Sequence, residues 1–387
     1  MAWQIPLTEL TIGEDDVAAV VQCLEEGWLT MGPRVDEFEQ GVAAFCGTPH
    51  GAAVNCGTAA LHLACRALGL GPGDEVIVPA LTFVASVNAP RYVGATPVLC
   101  DTASPTDMNL SVESVEPHIT DRTRAVIAVH FCGYPADVVG LRELCDSRGI
   151  MLIEDAAQGI GAVVSEDGRK AGSVGQAGCL SFFSKKQLFV GEGGMVLSSD
   201  EEIDKKVRLL RSHGMSASTW DRHRGYGYSY DVVDVGYNFR LDEPRAALGL
   251  SRLGKLQPGI EARRRTVKLY RELLADVPGV ELTWSDEQVE RSSHFALPIL
   301  LDDAEACDAV RTGLADRGIQ TTRYPVIHGF SEYRGLAPMG SLPFSETAAA
   351  RHCALPLSAS TIETEVERVV GAVRATLPVD ASRRASC

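Results

Sequence analysis

Two adjacent lysines, Lys185 and Lys186, are the side chains of this sequence best placed for covalent chemistry. An apolar run at residues 179–183 precedes them, and a GEGG turn at residues 191–194 leads into a second apolar run. This pattern predicts two strands joined by a loop that holds a lysine at the lip of a packed sheet. Loss of water there lowers the pKa of a lysine and makes its amine nucleophilic enough to form a Schiff base. The alternative is a hairpin with two solvated lysines, since most lysines are exposed.

A pair of acidic residues, Glu154 and Asp155, ends an apolar run upstream of the lysines. The run predicts a buried strand, and the carboxyl end of a buried parallel strand is where ligands bind in α/β proteins. The two carboxylates are therefore candidate site residues. The alternative is that either acid only caps a helix.

The elements that must position these side chains follow from an alternation of apolar runs and helix-like segments between residues 50 and 213. Such alternation predicts a largely parallel sheet covered by helices. Residues 52–69 indicate a strand, a Gly57-Thr58 turn and a helix. The free N–H groups of the first helical turn make an anion site, unless the turn is an ordinary cap.

An aromatic residue, Phe83, follows a strand predicted at residues 76–79. At that place an aromatic ring can lie flat on a planar cofactor. The alternative is that the ring packs in the core, which is the commoner environment of aromatic side chains.

Several motifs of this chain resemble those of the DegT/DnrJ/EryC1/StrS family of sugar-nucleotide aminotransferases, which are pyridoxal-phosphate enzymes of fold type I. They are NCGTAALHLA from residue 55, PALTFVASVNA from residue 79, IEDAAQ from residue 153, SFFSKKQLFVGEGG from residue 181 and GYNFRLDEP from residue 236. The similarity covers essentially the whole chain. Phe183 stands where the family usually has histidine, and Phe189-Val190 replaces the usual threonines, so details of the pocket differ while the chemistry is kept.

The resemblance implies pyridoxal 5′-phosphate as the cofactor. Lys186 falls on the Schiff-base lysine of the family, and Lys185 is then a neighbour without a catalytic role. Asp155 falls on the acid that keeps the pyridine nitrogen protonated, so that the ring can act as an electron sink, and Glu154 should point away from the ring. The further cofactor residues implied are, for the ring, Phe83 and Gln158, and for the phosphate, Gly57, Thr58, Ser181 and, from the other subunit, Asn238.

Three stretches are candidates for binding the substrate. The GWLTMGP loop that contains Thr30 resembles a family stretch at the border of the substrate pocket, or is a simple connection between helices. A basic cluster, Arg222, His223 and Arg224, is either a solvated loop or meets the diphosphate of a nucleotide sugar, which planar guanidinium groups suit. His328 lies in a stretch that resembles the family's PLHxxPxY region, and it either faces substrate or is structural.

The composition of the chain limits the kinds of partner that it is expected to bind. The chain has 387 residues and a formal net charge of -15, so we expect it to bind neither nucleic acid nor an anionic membrane, because both select basic surfaces. We see no signal peptide and no uncharged stretch of the ~18 residues that a membrane span needs, which predicts a cytoplasmic protein. Its 11 cysteines lack CxxC spacing, so we expect reduced thiols and no bound metal.

The resemblance implies an α/β protein of fold type I, similar to aspartate aminotransferase, in agreement with the parallel sheet that the apolar runs predict. Residues 1–250 form the predicted large domain, with a mostly parallel seven-stranded sheet and an N-terminal segment, residues 1–35, that borders the active site. Residues 251–387 form the predicted smaller α+β domain, with strands near residues 280–282 and 294–301. The active unit is expected to be a homodimer with shared active sites.

The reaction that the resemblance implies is the transfer of an amino group from an amino acid, L-glutamate, to the keto sugar of a nucleotide-diphosphate sugar. A 3-keto- or 4-keto-6-deoxyhexose is expected, for amino sugar biosynthesis. The alternatives are an aminotransferase acting on a cyclitol ketone such as an inosose, a member of the family's sugar dehydratase branch, and a non-catalytic regulatory protein on the same fold. The dehydratases have histidine in place of the lysine, so Lys186 speaks against that branch.

Overall fold

The computed structural model of the chain describes residues 3–216 and 229–377. Its larger sheet has seven strands: β1 (His50–Val54), β2 (Glu75–Pro79), β3 (Thr96–Cys100), β4 (Thr123–Val129), β5 (Met151–Asp155), β6 (Ala177–Ser181) and β7 (Gly194–Ser198). They lie in the order β1-β7-β6-β5-β4-β2-β3. Strand β7 runs antiparallel to both of its neighbours, and the remaining adjacent pairs are parallel. The predicted mostly parallel seven-stranded sheet is confirmed.

Helices connect these strands and cover both faces of the sheet, as the alternation in the sequence predicts. They are α1 (Glu14–Glu26), α2 (Pro33–Cys46), α3 (Gly57–Ala67), α4 (Val84–Tyr92), α5 (Val112–Val115), α6 (Val138–Arg148) and α7 (Glu201–Leu210). Phe38 of α2 and Leu141 of α6 belong to the core on one face, whereas Leu63 of α3 and Val87 of α4 belong to the core on the other. Both faces of the sheet are therefore buried, which explains why its strands are apolar throughout.

A long helix, α8 (Glu243–Leu274), joins the larger part of the protein to the rest of the chain. Asp242 caps its start by accepting a hydrogen bond from a main-chain N–H group over 3.1 Å, and Pro244 lies in the first turn, both as the sequence predicts. Leu256 packs in a core of the larger part. Tyr270 packs in a second core, here called the C-terminal core, which also includes Leu81 and Phe131 of the larger part. The predicted domain boundary at residue 250 falls inside this helix, so the division into domains stays a prediction.

The C-terminal part is built on a three-stranded antiparallel sheet. Its strands are β8 (Val280–Leu282), β9 (Leu297–Leu301) and β10 (His352–Leu355), in the order β10-β9-β8. Its helices are α9 (Asp286–Arg291), α10 (Ala304–Ala315), α11 (Pro343–Arg351) and α12 (Glu363–Thr376). The N-terminal segment joins this part, because Ile5 forms a parallel bridge with Ile319.

Strand β9 begins later than the sequence predicts, at residue 297 instead of residue 294. His294 has a left-handed φ of 55°, and the N–H groups of Phe295 and Ala296 both donate to the carbonyl oxygen of Cys132, over 3.0 and 3.1 Å. These hydrogen bonds hold residues 294–296 against the loop that follows β4 of the larger sheet. The segment therefore bridges the two parts of the protein instead of extending the small sheet.

Among the residues that the structure describes, none of the helices combines the length and the apolar character of a membrane span. The ten described cysteines are free, and Cys56 alone among these ten is not buried. Within the same ranges, no three His, Cys, Asp or Glu side chains are grouped closely enough to hold a metal ion.

Candidate active site

A cavity of about 590 Å³ opens between the seven-stranded sheet and the C-terminal part. It lies at the carboxyl ends of β5 and β6, where ligands bind in open α/β sheets. The predicted cofactor residues that line it are Gly57, Thr58, Phe83, Asp155, Gln158, Ser181 and Lys186. Residues from distant motifs thus meet at one place.

The loop between β6 and β7 presents Lys186 to the cavity. The N–H of Lys186 donates to the carbonyl oxygen of Phe183 over 2.8 Å, and the N–H of Ser184 donates to that of Gly191 over 3.0 Å. Gly191 has a φ of 95°, which glycine adopts without strain. Burial lowers the pKa of Lys186 to about 8, although the nearby Asp155 carboxylate acts to raise it. A larger fraction of this amine is therefore neutral and nucleophilic near neutral pH than of an ordinary lysine.

Asp155 is buried at the end of β5, and two donors orient its carboxylate. The hydroxyl of Ser86 donates to Oδ2 over 2.6 Å, and the N–H of Ala157 donates to Oδ1 over 3.1 Å. The hydroxyl oxygen of Thr82 lies 2.9 Å from that of Ser86. The carboxylate is therefore fixed in the wall of the cavity, where an anion can face a ring nitrogen.

The neighbouring Glu154 is fully buried and is held away from the cavity, as expected for alternate residues of a strand. Its Oε2 accepts a hydrogen bond from the N–H of Gly172 over 2.8 Å and lies 2.9 Å from Nε2 of His130. Its Oε1 accepts hydrogen bonds from two further main-chain N–H groups over 2.7 Å. Burial alone would raise the pKa of Glu154, but the hydrogen bonds hold it below its usual value. Glu154 is thus a structural anion.

The first turn of α3 lies beside Ser181. Cys56 caps this helix, since its Sγ accepts a hydrogen bond from the N–H of Ala59 over 3.4 Å, and the N–H groups of Gly57 and Thr58 have no acceptor within the helix. A Cβ atom at residue 57 would lie 2.8 Å from Cβ of Ser181, so only glycine allows this approach. The hydroxyl and the N–H groups therefore converge, and a phosphate fits there because helix N-termini bind anions.

Two side chains provide surfaces for a planar ring. Phe83 is 67% exposed and borders the cavity, so its ring is not part of the core. Gln158 also lines the cavity, and its Oε1 accepts a hydrogen bond from the N–H of Cys132 over 2.7 Å. An amine, an acid, an anion-binding helix start and an open aromatic face are the groups that pyridoxal 5′-phosphate requires, so the residues present fit this cofactor.

Other predicted site residues do not line this cavity. Asn238 is exposed and pairs through its backbone with Ser212. Thr30 is half-buried just before α2. His328 is 1% exposed, and its Nε2 lies 3.0 Å from Oε1 of Glu346, which is the environment of a structural histidine.

The basic cluster Arg222, His223 and Arg224 lies outside the described residues, so its contact with a diphosphate stays a prediction. The two adjacent lysines differ in environment. Lys185 is exposed at the lip of the cavity, whereas Lys186 is half-buried within it.

The structure adds residues that the sequence did not single out. Ser86 orients Asp155, and only its place within the PALTFVASVNA motif pointed to the region. Further lining residues come from the N-terminal segment and the C-terminal part: Leu7, Thr8, Phe295, Thr322 and Tyr324. Leu7 and Thr8 belong to the N-terminal segment predicted to border the active site, and Tyr324 belongs to the stretch that resembles the PLHxxPxY region. No local pattern marks Phe295 and Thr322, because their positions depend on contacts between segments that are distant in the chain.

The sequence profile of the DegT/DnrJ/EryC1/StrS aminotransferase family matches residues 10–374. Among solved structures, the chain is similar to the aminotransferase TlmJ from Streptoalloteichus hindustanus, with 34% identity, a TM-score of 0.89, and coverage of 96% of this chain and 98% of that chain. It is similar to DesV from S. venezuelae, solved with a ketimine intermediate, with 35% identity, a TM-score of 0.88, and coverage of 98% and 100%. It is also similar to DesI, solved in the presence of its TDP-sugar product, with 32% identity, a TM-score of 0.86, and coverage of 100% and 96%.

Proposed function

Because the chain belongs to the DegT/DnrJ/EryC1/StrS aminotransferase family, it is a pyridoxal-phosphate-dependent sugar aminotransferase, and we propose that its acceptor is the keto sugar of a nucleotide-diphosphate sugar. The proposed sugar is a 3-keto- or 4-keto-6-deoxyhexose. The proposed donor is L-glutamate, which the resemblance to the family implies. The structure of DesI with a TDP-sugar product, at 32% identity to this chain, supports a nucleotide sugar as the ligand.

One observation carries the assignment of the site: Lys186 and Asp155 line the same cavity as the start of helix α3. Lys186 supplies a nucleophilic amine, and Asp155 supplies an oriented anion. When bound, pyridoxal phosphate supplies an electron sink for the charge that develops at the reacting carbon. The proposed role of Asp155 is to keep the ring nitrogen protonated, which the Ser86 hydrogen bond supports because it turns the carboxylate to one fixed orientation.

Lys186 is proposed to act in two ways. Its neutral amine anchors the cofactor and is displaced by the amino donor. Its Nζ then accepts a proton from the carbon that bears the donor's amino group and returns a proton later in the transfer. A pKa of about 8 supports this double role, because a group that must both accept and give up a proton works best when its pKa is near the working pH.

We further propose a homodimer whose sites are shared, with Asn238 of a second copy completing the phosphate site. The segment before Asn238 supports this proposal, because it exposes apolar side chains that a second copy can cover. Val232, Val233 and Val235 are 56%, 59% and 79% exposed. Such an apolar stretch, next to a polar residue that lies away from the cavity of its own chain, is suited to an interface between copies.

The walls of the cavity support a deoxysugar as the acceptor. Phe183 and Phe330 line the cavity and are each 39% exposed, and Leu355 and Leu357 add further apolar surface. Apolar walls favour a sugar with few hydroxyl groups and a methyl group, since buried hydroxyl groups need hydrogen-bond partners. Phe183 replaces the histidine that is usual in the family, so this wall is more apolar than the family pattern.

The test is an assay of the purified protein, reconstituted with pyridoxal phosphate, against a panel of keto sugar nucleotides with L-glutamate as donor. We expect 2-oxoglutarate and an amino sugar nucleotide from at least one member of the panel. Turnover of a keto cyclitol but of no sugar nucleotide would contradict the proposed acceptor. The absorbance of the bound cofactor should also change on addition of L-glutamate alone, and an unchanged spectrum would contradict the proposed donor.

A further inference from the structure

The amine of Lys186 lies over an aromatic ring that no sequence motif marks. Its Nζ is 4.3 Å from the centre of the Phe295 ring. An ammonium within about 6 Å of a ring centre is attracted by the negative face of the ring. The contact therefore favours the protonated form of the lysine and also fixes where its Nζ lies.

The backbone holds Phe295 in this place. The N–H of Phe295 donates to the carbonyl oxygen of Cys132 over 3.0 Å, and the N–H of Ser293 donates to that of Gly133 over 2.9 Å. A Cβ atom at residue 133 would lie 2.7 Å from the main-chain nitrogen of Phe295, so the close approach of the two segments depends on glycine. Gln187 Nε2 donates to the hydroxyl oxygen of Ser293 over 3.0 Å and so ties the lysine loop to the same segment.

Other groups around Lys186 also affect the protonation of its amine. Asp155, at the end of β5, attracts the ammonium, whereas burial disfavours it and brings the pKa of the amine to about 8. Burial raises the pKa of the Cys132 thiol well above its usual value, so this group faces Lys186 as a neutral thiol. Lys185, Glu192 and Tyr324 also line the cavity.

We propose that Phe295 is a positioning residue for Lys186: the face of its ring receives the ε-ammonium when the lysine is not attached to the cofactor. The ring then favours the protonated form of Nζ, which burial disfavours, and it holds that proton at one side of the cavity. The proposal shares the assignment of Lys186 with the proposed function, but it does not depend on which sugar is the acceptor.

The test measures the pKa of the Lys186 amine in the cofactor-free protein, without any substrate. The protein is treated with acetic anhydride over a range of pH, and mass spectrometry follows the labelling of Lys186, with Lys185 as an internal reference. The midpoint of the pH profile reports the pKa, whereas a change in access to the amine scales the rate at every pH. In Phe295→Leu we expect the midpoint to fall by roughly 0.5 to 1.5 pH units, and in Phe295→Tyr, which keeps an aromatic face, to stay near that of the wild type.

Phe131→Leu is the matched control, because Phe131 lines the same cavity but its ring meets Tyr324 edge-on, with the centres 5.3 Å apart. The midpoint for Lys186 should not move in this variant. A wild-type midpoint in Phe295→Leu, or an equal fall in Phe131→Leu, overturns the proposal. Should Phe295→Leu lose its fold by circular dichroism, Phe295→Met replaces it. A shifted midpoint in a protein that aminates no sugar nucleotide would sink the proposed function and leave this inference standing.

Discussion

Ser86 donates a hydrogen bond from its hydroxyl to Oδ2 of Asp155 over 2.6 Å, and with the N–H of Ala157 it orients the acid of the candidate site. Ser86 lies in α4 and Asp155 at the end of β5, so the contact joins a helix on one face of the sheet to the edge where the cavity opens. The orientation of the acid thus depends on the packing of that helix.

Replacing Asp155 by asparagine removes the negative charge and keeps the shape. We expect pyridoxal phosphate still to bind through its phosphate, while turnover falls by orders of magnitude, because each ~1.4 kcal/mol added to the barrier is a tenfold loss. Steady-state kinetics with saturating cofactor checks this. Ser86→Ala keeps the charge and should lose roughly tenfold to a hundredfold, the effect of one hydrogen bond to a charged group. Turnover of Asp155→Asn near that of the wild type would refute the role of the acid.

The two adjacent lysines provide a matched pair. Lys186→Ala should abolish turnover and the absorbance of the covalently held cofactor, because Lys186 is the one lysine of the described residues that lies within the cavity and not at its rim. Lys185 is exposed at the lip, so Lys185→Ala should keep both properties. Spectra and activity of the two variants, purified side by side, check this. Equal loss in both variants would show that the lysines have been assigned wrongly.

The pKa of Lys186 predicts how cofactor attachment depends on pH. Below about 8 the amine is mostly protonated and cannot attack, and above it the neutral amine predominates. The rate at which cofactor-free protein binds pyridoxal phosphate covalently should therefore rise with a midpoint near 8. An ordinary lysine would give a midpoint near about 10.4. Stopped-flow absorbance at several pH values measures it, and a midpoint above about 10 would contradict the lowered pKa.

Alanine substitutions at Gly133 and Gly149 distinguish two costs: the backbone strain of a positive φ, and the steric clash where two segments approach closely. Both have positive φ, 88° and 66°, but a Cβ atom at residue 149 would meet nothing within 4 Å. Gly149→Ala should therefore cost about 1 kcal/mol of stability. Gly133→Ala should cost roughly 2 kcal/mol or more and also weaken pyridoxal phosphate binding, because the new Cβ atom pushes against Phe295. Chemical denaturation and cofactor titration check both variants, and equal effects would contradict this account of Gly133.

Shared sites predict complementation between two inactive variants. Lys186→Ala and Asn238→Ala should each be nearly inactive, since one lacks the anchoring amine and the other a phosphate ligand. In a mixed dimer with shared sites, one site carries both changes and the other carries neither. Mixing should restore activity toward half of the wild type per heterodimer. If subunit exchange is verified by mass spectrometry and no activity returns, Asn238 acts within its own chain.

Much of the fold follows from the sequence because the strands of a buried parallel sheet are short apolar runs with clear ends. The strand at residues 75–79 is longer by one residue than predicted, and Asp242 caps its helix as predicted. The convergence of Asp155, Ser181 and Gly57 is also predictable, since the carboxyl ends of parallel strands share one edge of the sheet.

What could not be predicted depends on contacts between distant segments. Residues 294–296 look like the start of a strand, but their N–H groups bond the loop after β4, and this displacement brings Phe295 to Lys186. His328 sits in a motif-like stretch, and only packing against Glu346 shows that it is buried. The surroundings of Asn238 in a dimer depend on a second chain, which no pattern in one sequence contains.

Helix α8 also has a consequence for how the protein melts. It has 32 residues and so extends about 48 Å, with Leu256 and Ile260 in a core of the larger part and Val267 and Tyr270 in the C-terminal core. Unfolding of either core removes the apolar contacts from one half of this helix, in which Pro258 already lacks a main-chain N–H donor, and helices without tertiary support are marginal in water. The two cores should therefore lose their structure cooperatively, as one calorimetric transition instead of two.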